Sequence, residues 1–173
     1  MKQSTRWVLL CAATLLLTAV SASAQVFEPS ELVVSAGVFN VLNDERDNEV
    51  GVELRLGTFE LPLGRHRIPL GVQFGAMATE ESAYYIYGSF RYDWWLSQRW
   101  RLTPFLGGGI YSAGDGKDLG GPVEFRSGLE LSVGLTERSR LGLSFYHLSN
   151  GVLYDSNPGA ESLVVVFSRR LGG

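Results

Sequence analysis

The sequence predicts an all-β protein, an eight-stranded antiparallel transmembrane β-barrel. Three observations carry this: a two-residue hydrophobic period along most of the chain, eight segments that show it, and an N-terminal export signal. The period is what a strand with one polar and one apolar face requires. The eight segments are residues 31–42, 48–60, 67–79, 83–94, 100–111, 122–134, 140–149 and 160–171. Each has roughly the length that a tilted strand needs to cross the hydrocarbon layer. An even count allows antiparallel closure, which removes the unpaired edges that lipid cannot satisfy.

The second segment displays the pattern plainly. Val50, Val52, Leu54 and Leu56 alternate with Gly51, Glu53, Arg55 and Gly57. Glu53, Arg55, Arg91, Asp93, Glu124 and Arg126 are expected inside, with Val, Leu, Phe and Trp outside. Tyr84, Tyr85, Tyr87, Tyr92, Trp94, Trp95 and Trp100 are expected to supply the aromatic girdles at the membrane interfaces. Turn residues separate the segments: Leu-Pro-Leu-Gly at 61–64, Ser-Gln at 97–98, Asp-Gly at 115–116 and Asn-Pro-Gly at 157–159. Alternation alone does not say which face is inside, and a soluble barrel of lipocalin type would alternate too. Strand number, strand length, export signal and aromatics together favour the membrane barrel.

Residues 1–24 read as a secretory signal peptide. Lys2 and Arg6 precede the apolar run from Trp7 to Val20, and Ala22-Ser23-Ala24 ends it before Gln25. The barrel domain is then 25–173. Cys11, the single cysteine, follows Leu10 inside the apolar run, where a lipid-attachment cysteine does not stand. The mature chain therefore has no thiol nucleophile, disulfide or cysteine ligand. The net charge of −3 comes without a basic run, which argues against nucleic-acid binding. With both termini periplasmic, odd strands run outward. The long connections at 112–121 and 150–159 are then extracellular, and 61–66, 97–99 and 135–139 are periplasmic turns. Two features depart from the common pattern. The connection at 80–82 is short, and the chain continues past Phe167 as Ser-Arg-Arg-Leu-Gly-Gly instead of ending on an aromatic residue.

The chain has two histidines. His66 lies in a turn, Gly64-Arg65-His66-Arg67, and reads as a solvated residue. His147 shares a face with Leu141, Leu143, Phe145 and Ser149, and in a membrane barrel that face meets lipid. Glu161 shares the corresponding face of the last strand with Leu163, Val165 and Phe167. A hairpin centred near Tyr154 places His147 opposite Glu161, with Cβ atoms roughly 4.5–5.5 Å apart. Serine needs a base to become a nucleophile, histidine is the usual base, and a carboxylate fixes the imidazole tautomer. A carboxylate on a lipid-facing strand is costly and tends to be functional. A polar His-x-Ser at the membrane rim is the ordinary alternative. Asn157 is the first candidate for an oxyanion donor, with Asn150 behind it and backbone N–H groups near Gly151. Asp115-Gly116-Lys117-Asp118 lacks the length and terminal Glu of a calcium loop and reads as a turn. Gly107-Gly108-Gly109 reads as close strand packing. No metal or cofactor site is expected.

His147-Leu148-Ser149-Asn150 followed by Asn157-Pro158-Gly159-Ala160-Glu161 resembles the C-terminal motif of the PagL family, the lipid A 3-O-deacylases. The resemblance implies an outer-membrane serine esterase that hydrolyses the ester-linked 3-hydroxy acyl chain at position 3 of lipid A. It implies Ser149 as nucleophile, His147 as base, Glu161 as acid member and Asn157 as oxyanion contributor. Lipopolysaccharide is then the substrate and outer-membrane lipids are the surroundings. A homodimer is left open. Two other function classes remain in view: a non-enzymatic structural or adhesive barrel, and an outer-membrane phospholipase or acyltransferase.

Overall fold

Strands whose side chains alternate between charge and hydrocarbon bury both faces only when the sheet closes around its charges and lipid covers the outside. A computed structural model, which describes residues 29–172, has this arrangement. The expected leader and Cys11 lie outside the described residues. The strands are β1 (Pro29–Phe39), β2 (Asp47–Leu63), β3 (His66–Thr79), β4 (Tyr84–Arg91), β5 (Trp94–Trp95), β6 (Trp100–Ser112), β7 (Val123–Gly134), β8 (Ser139–Ser149) and β9 (Ala160–Arg170). Each pairs antiparallel with the next, except that β4 and β5 both pair with β6. Those two are pieces of one stave. The eighth stave, β9, pairs antiparallel with β1 and closes the barrel.

The fourth stave breaks at Tyr92 and Asp93, opposite Pro104. The Tyr92 N–H still donates to the Pro104 carbonyl at 3.0 Å. Proline returns no N–H, so the ladder loses a rung there. Asp93 takes up the gap by bonding Arg91 and accepting from the Thr103 hydroxyl. In β2 the register shifts between Arg55 and Thr58, a bulge that bends the stave.

Small barrels are filled by their own side chains. Glu31, Glu53, Arg55, Arg91, Arg101, Glu124, Arg126 and Glu130 are all buried in the lumen. Arg55 donates to Glu53 at 2.8 Å and to Glu130, and Arg101 donates to Glu31 at 3.0 Å. Arg126 lies among the rings of Tyr146, Phe105 and Tyr87, at 4.2, 4.3 and 4.4 Å from their centroids. The outside carries Val50, Val52, Leu106, Ile110, Leu143 and Val165, all exposed. Gly107 and Gly109 face the lumen side, where a Cβ would fall about 2 Å from the carbonyl oxygens of Gly88 and Ile86. They let β4 and β6 approach, in line with the close packing expected of the glycine run.

The girdle expectation needs correction at two residues. Tyr84, Trp94, Trp95 and Trp100 are exposed, but Tyr85 and Tyr87 are buried in the lumen. Along β4 the outward positions are Tyr84, Ile86, Gly88 and Phe90, so Tyr85 and Tyr87 fall on the inner face. There Tyr85 donates to the Glu124 carbonyl, and Tyr87 donates to Glu53. The polar end of the chain continues the barrel: β9 runs through Arg170, with Ser168 buried opposite Val33.

Candidate functional site

The connections differ at the two ends of the barrel. At one end they cover 40–46, 80–83, 113–122 and 150–159. At the other they cover 64–65, 96–99 and 135–138, with exposed His66 beside the first of these. The C-terminus of β8 and the N-terminus of β9 lie at the end with the longer connections, and His147, Ser149 and Glu161 are found there.

The register pairs His147 directly with Glu161. Both point outward, and Nδ1 of His147 lies 2.9 Å from Oε1 of Glu161. Their side chains are 41% and 23% exposed, so the pair is reachable from outside the wall yet partly shielded. With Nδ1 engaged by the carboxylate, Nε2 is the nitrogen left to exchange a proton. Ser149 is on the same face two residues on, opposite Phe125 on β7. Two residues of strand place its Cα roughly 7 Å from that of His147. Among the described residues the Ser149 hydroxyl has no hydrogen-bond partner. The structure therefore joins His147 to Glu161 and sets Ser149 beside them without a bond. Such contacts are often long in the absence of substrate.

The loop at 150–159 is pinned to the loop at 113–122. Asn150 is buried, and its Nδ2 donates to the carbonyls of Leu119 at 2.9 Å and Ser156 at 2.8 Å. That amide group is committed to holding the loops. The Asn150 backbone N–H donates to Oδ1 of Asn157 at 3.0 Å. This bond fixes the Asn157 side chain and leaves its Nδ2 as an unused donor near the chain that carries Ser149. Of the two asparagines, Asn157 has the free donor.

Gly159 is a contact that motif spacing did not point to. Its φ is +64°, in the left-handed region. A Cβ there would meet Cε1 of His147 at 2.8 Å. The glycine thus lets the loop backbone lie against the imidazole. Its place in the Asn-Pro-Gly turn was the available signal, since such a turn calls for a positive φ.

Known proteins share this fold. The family model described as lipid A 3-O-deacylase (PagL) matches residues 73–170, more than half of the chain. The lipid A deacylase PagL of Bordetella bronchiseptica is 25% identical over 79 residues, 44% of this chain and 44% of that protein. The chain thus aligns with less than half the length of this curated relative. Among solved structures, the outer membrane enzyme PagL superposes with a TM-score of 0.62 at 15% identity, covering 82% of this chain and 99% of that one. Neisserial surface protein A superposes with a TM-score of 0.52 at 12% identity, covering 82% and 96%. At these identities the superpositions speak for the fold alone. Barrel and family together make this an outer-membrane protein. The matched segment runs from within β3 to the end of β9 and includes His147, Ser149 and Glu161, and the chain belongs to the PagL family.

Proposed function

We propose that this protein is a serine esterase that hydrolyses the 3-O-linked 3-hydroxy acyl chain of lipid A in lipopolysaccharide. The observation that carries the reading is the 2.9 Å contact between His147 and Glu161 on the lipid-facing side of the wall, with Ser149 on the same face. Partly buried ionisable groups on such a surface need a reason to be there. A substrate that is itself a membrane lipid supplies one, because it reaches this face laterally and needs no pore.

The chemistry proceeds in two halves. Ser149 Oγ attacks the ester carbonyl while His147 Nε2 takes its proton. The resulting imidazolium is stabilised by the Glu161 carboxylate at Nδ1. The carbonyl oxygen, now carrying the negative charge, accepts from Asn157 Nδ2. The intermediate collapses, the sugar oxygen leaves with the proton from Nε2, and the acyl group stays on Ser149. Water, deprotonated by His147, then releases the fatty acid and restores the serine. Family membership supports the choice of the lipid A ester over a phospholipid ester. In this reading residues 1–24 are the export signal, and β8 runs outward, which puts the site in the outer leaflet.

The test is mass spectrometry of lipid A from a Gram-negative strain expressing the protein. Lipid A lacking one 3-hydroxy acyl chain is expected with wild type, and intact lipid A with a folded Ser149→Ala variant. Purified protein offered phospholipid is expected to release no fatty acid. Intact lipid A beside abundant, folded wild-type barrel would sink the proposal.

A further inference from the structure

The wall behind His147 and Glu161 is held from inside the lumen. Side chains alternate across a strand. The residues next to the pair, Tyr146 and Ser162, therefore point inward, and they too are register partners. Both are buried. Their hydroxyls donate to the two oxygens of one carboxylate. Tyr146 Oη–H reaches Glu49 Oε1 at 2.6 Å, and Ser162 Oγ–H reaches Glu49 Oε2 at 2.6 Å. Glu49 belongs to β2, with β1 lying between it and β9 in the sheet order. Its partner on β1 is Gly37, which also pairs with Val164 on β9 and adds no side chain to the gap.

This carboxylate differs from three other buried acids of the lumen. Glu31, Glu53 and Glu130 each pair with an arginine. Glu49 forms no ion pair among the described residues and is only 2% exposed. A buried carboxylate is costly unless its hydrogen bonds are good. Here they are two short, charge-assisted ones, the strong kind. Tyr146 is held a second time, by the Arg126 guanidinium 4.2 Å from its ring centroid.

We propose that Glu49 is a positioning residue for the reaction: by binding Tyr146 and Ser162 from within, it fixes the register of β8 against β9 and so the His147–Glu161 contact on the opposite face. This rests on His147 and Glu161 acting as base and orienting acid. A two-residue slip of β8 would keep every apolar side chain on the lipid face, so hydrophobic patterning does not forbid it. The slip would separate His147 from Glu161. It would equally separate Tyr146 from Ser162, and one carboxylate that binds both resists that motion.

The experiment compares purified full-length wild type with Glu49→Gln, whose amide nitrogen cannot accept a hydroxyl proton. The folded state is followed by heat-modifiable mobility. With lipopolysaccharide as substrate, kcat is expected to fall roughly tenfold at unchanged KM, in keeping with the sensitivity of rate to small misplacement. With 15N-histidine labelling, the His147 Nδ1–H resonance is expected to shift or broaden. Ser162→Ala, which leaves the Glu49–Tyr146 bond in place, should change both readouts in the same direction, and it serves alone if Glu49→Gln does not fold. Wild-type kcat together with an unmoved His147 resonance in a folded variant would overturn the proposal. A wild-type barrel without esterase activity would instead overturn the proposed function, and the resonance would still decide whether Glu49 couples to His147 through the wall.

Discussion

Nδ1 of His147 and Oε1 of Glu161 stand 2.9 Å apart as direct register partners on β8 and β9. Neither residue depends on a loop for its place. The ladder itself sets their spacing, which is the more precise way to hold a site. Each is one step from a lumen-facing residue with buried hydrogen bonds, so the outer pair is fixed by the inner packing.

The first prediction follows from the charge in that contact. Glu161→Gln keeps an oxygen for Nδ1–H but removes the charge that stabilises the imidazolium. Deacylation is expected to fall by about 10⁴, the loss seen when a triad acid is neutralised or removed. The measurement is the rate of fatty-acid release from lipopolysaccharide by the purified variant. A Glu161→Gln barrel as fast as wild type would remove Glu161 from the mechanism.

The second concerns Asn157, whose two ends do different things. Its Oδ1 accepts from the Asn150 N–H at 3.0 Å, and its Nδ2 is free. Asn157→Asp preserves the acceptor, and with it the loop, while deleting the donor. A loss of about 10² to 10³ in kcat is expected, as for removal of one oxyanion-hole donor. Full activity in this variant would show that another donor serves the oxyanion.

Much of this site was legible in the sequence, for a physical reason. A period of two assigns each residue to a face, and a hairpin centre fixes which residues oppose. His147 across from Glu161 follows from those two facts, as the observed register bears out. The same rule applied to β4 would have put Tyr85 and Tyr87 inside. They were assigned to the girdle by residue type instead of by parity. Glu49 was beyond reach, because its partners lie 97 and 113 residues along the chain and meet it only when the barrel closes. The division of labour between Asn150 and Asn157 was hidden as well, since it depends on how one loop seats against Leu119 in the other.

A third prediction tests Gly159. Its φ of +64° costs an L-residue of the alanine kind about 1 kcal/mol. The larger effect is steric, because the new Cβ would sit 2.8 Å from Cε1 of His147. Gly159→Ala is expected to lower kcat by about 10 to 10², the penalty for a small displacement of a reacting group. The variant should keep its heat-modifiable mobility, since the loop lies outside the ladder. Unchanged kcat would mean that the imidazole has room to move without loss.

The last prediction tests which face meets lipid. Leu143 is 50% exposed and lies between Leu131 on β7 and Val165 on β9, both also exposed. An apolar strip of this kind is what the outer wall of a membrane barrel sets against hydrocarbon. Leu143→Arg puts a cation there, at an expected cost of about 2–4 kcal/mol if the position is near the bilayer midplane. Urea unfolding in lipid vesicles, followed by tryptophan fluorescence, reads the change as a lower midpoint at constant slope. In a water-soluble barrel the same arginine would be nearly neutral, as exposed substitutions usually are. An unshifted midpoint would therefore contradict the lipid-facing assignment of β8, and with it the argument that a membrane lipid reaches His147 from the side.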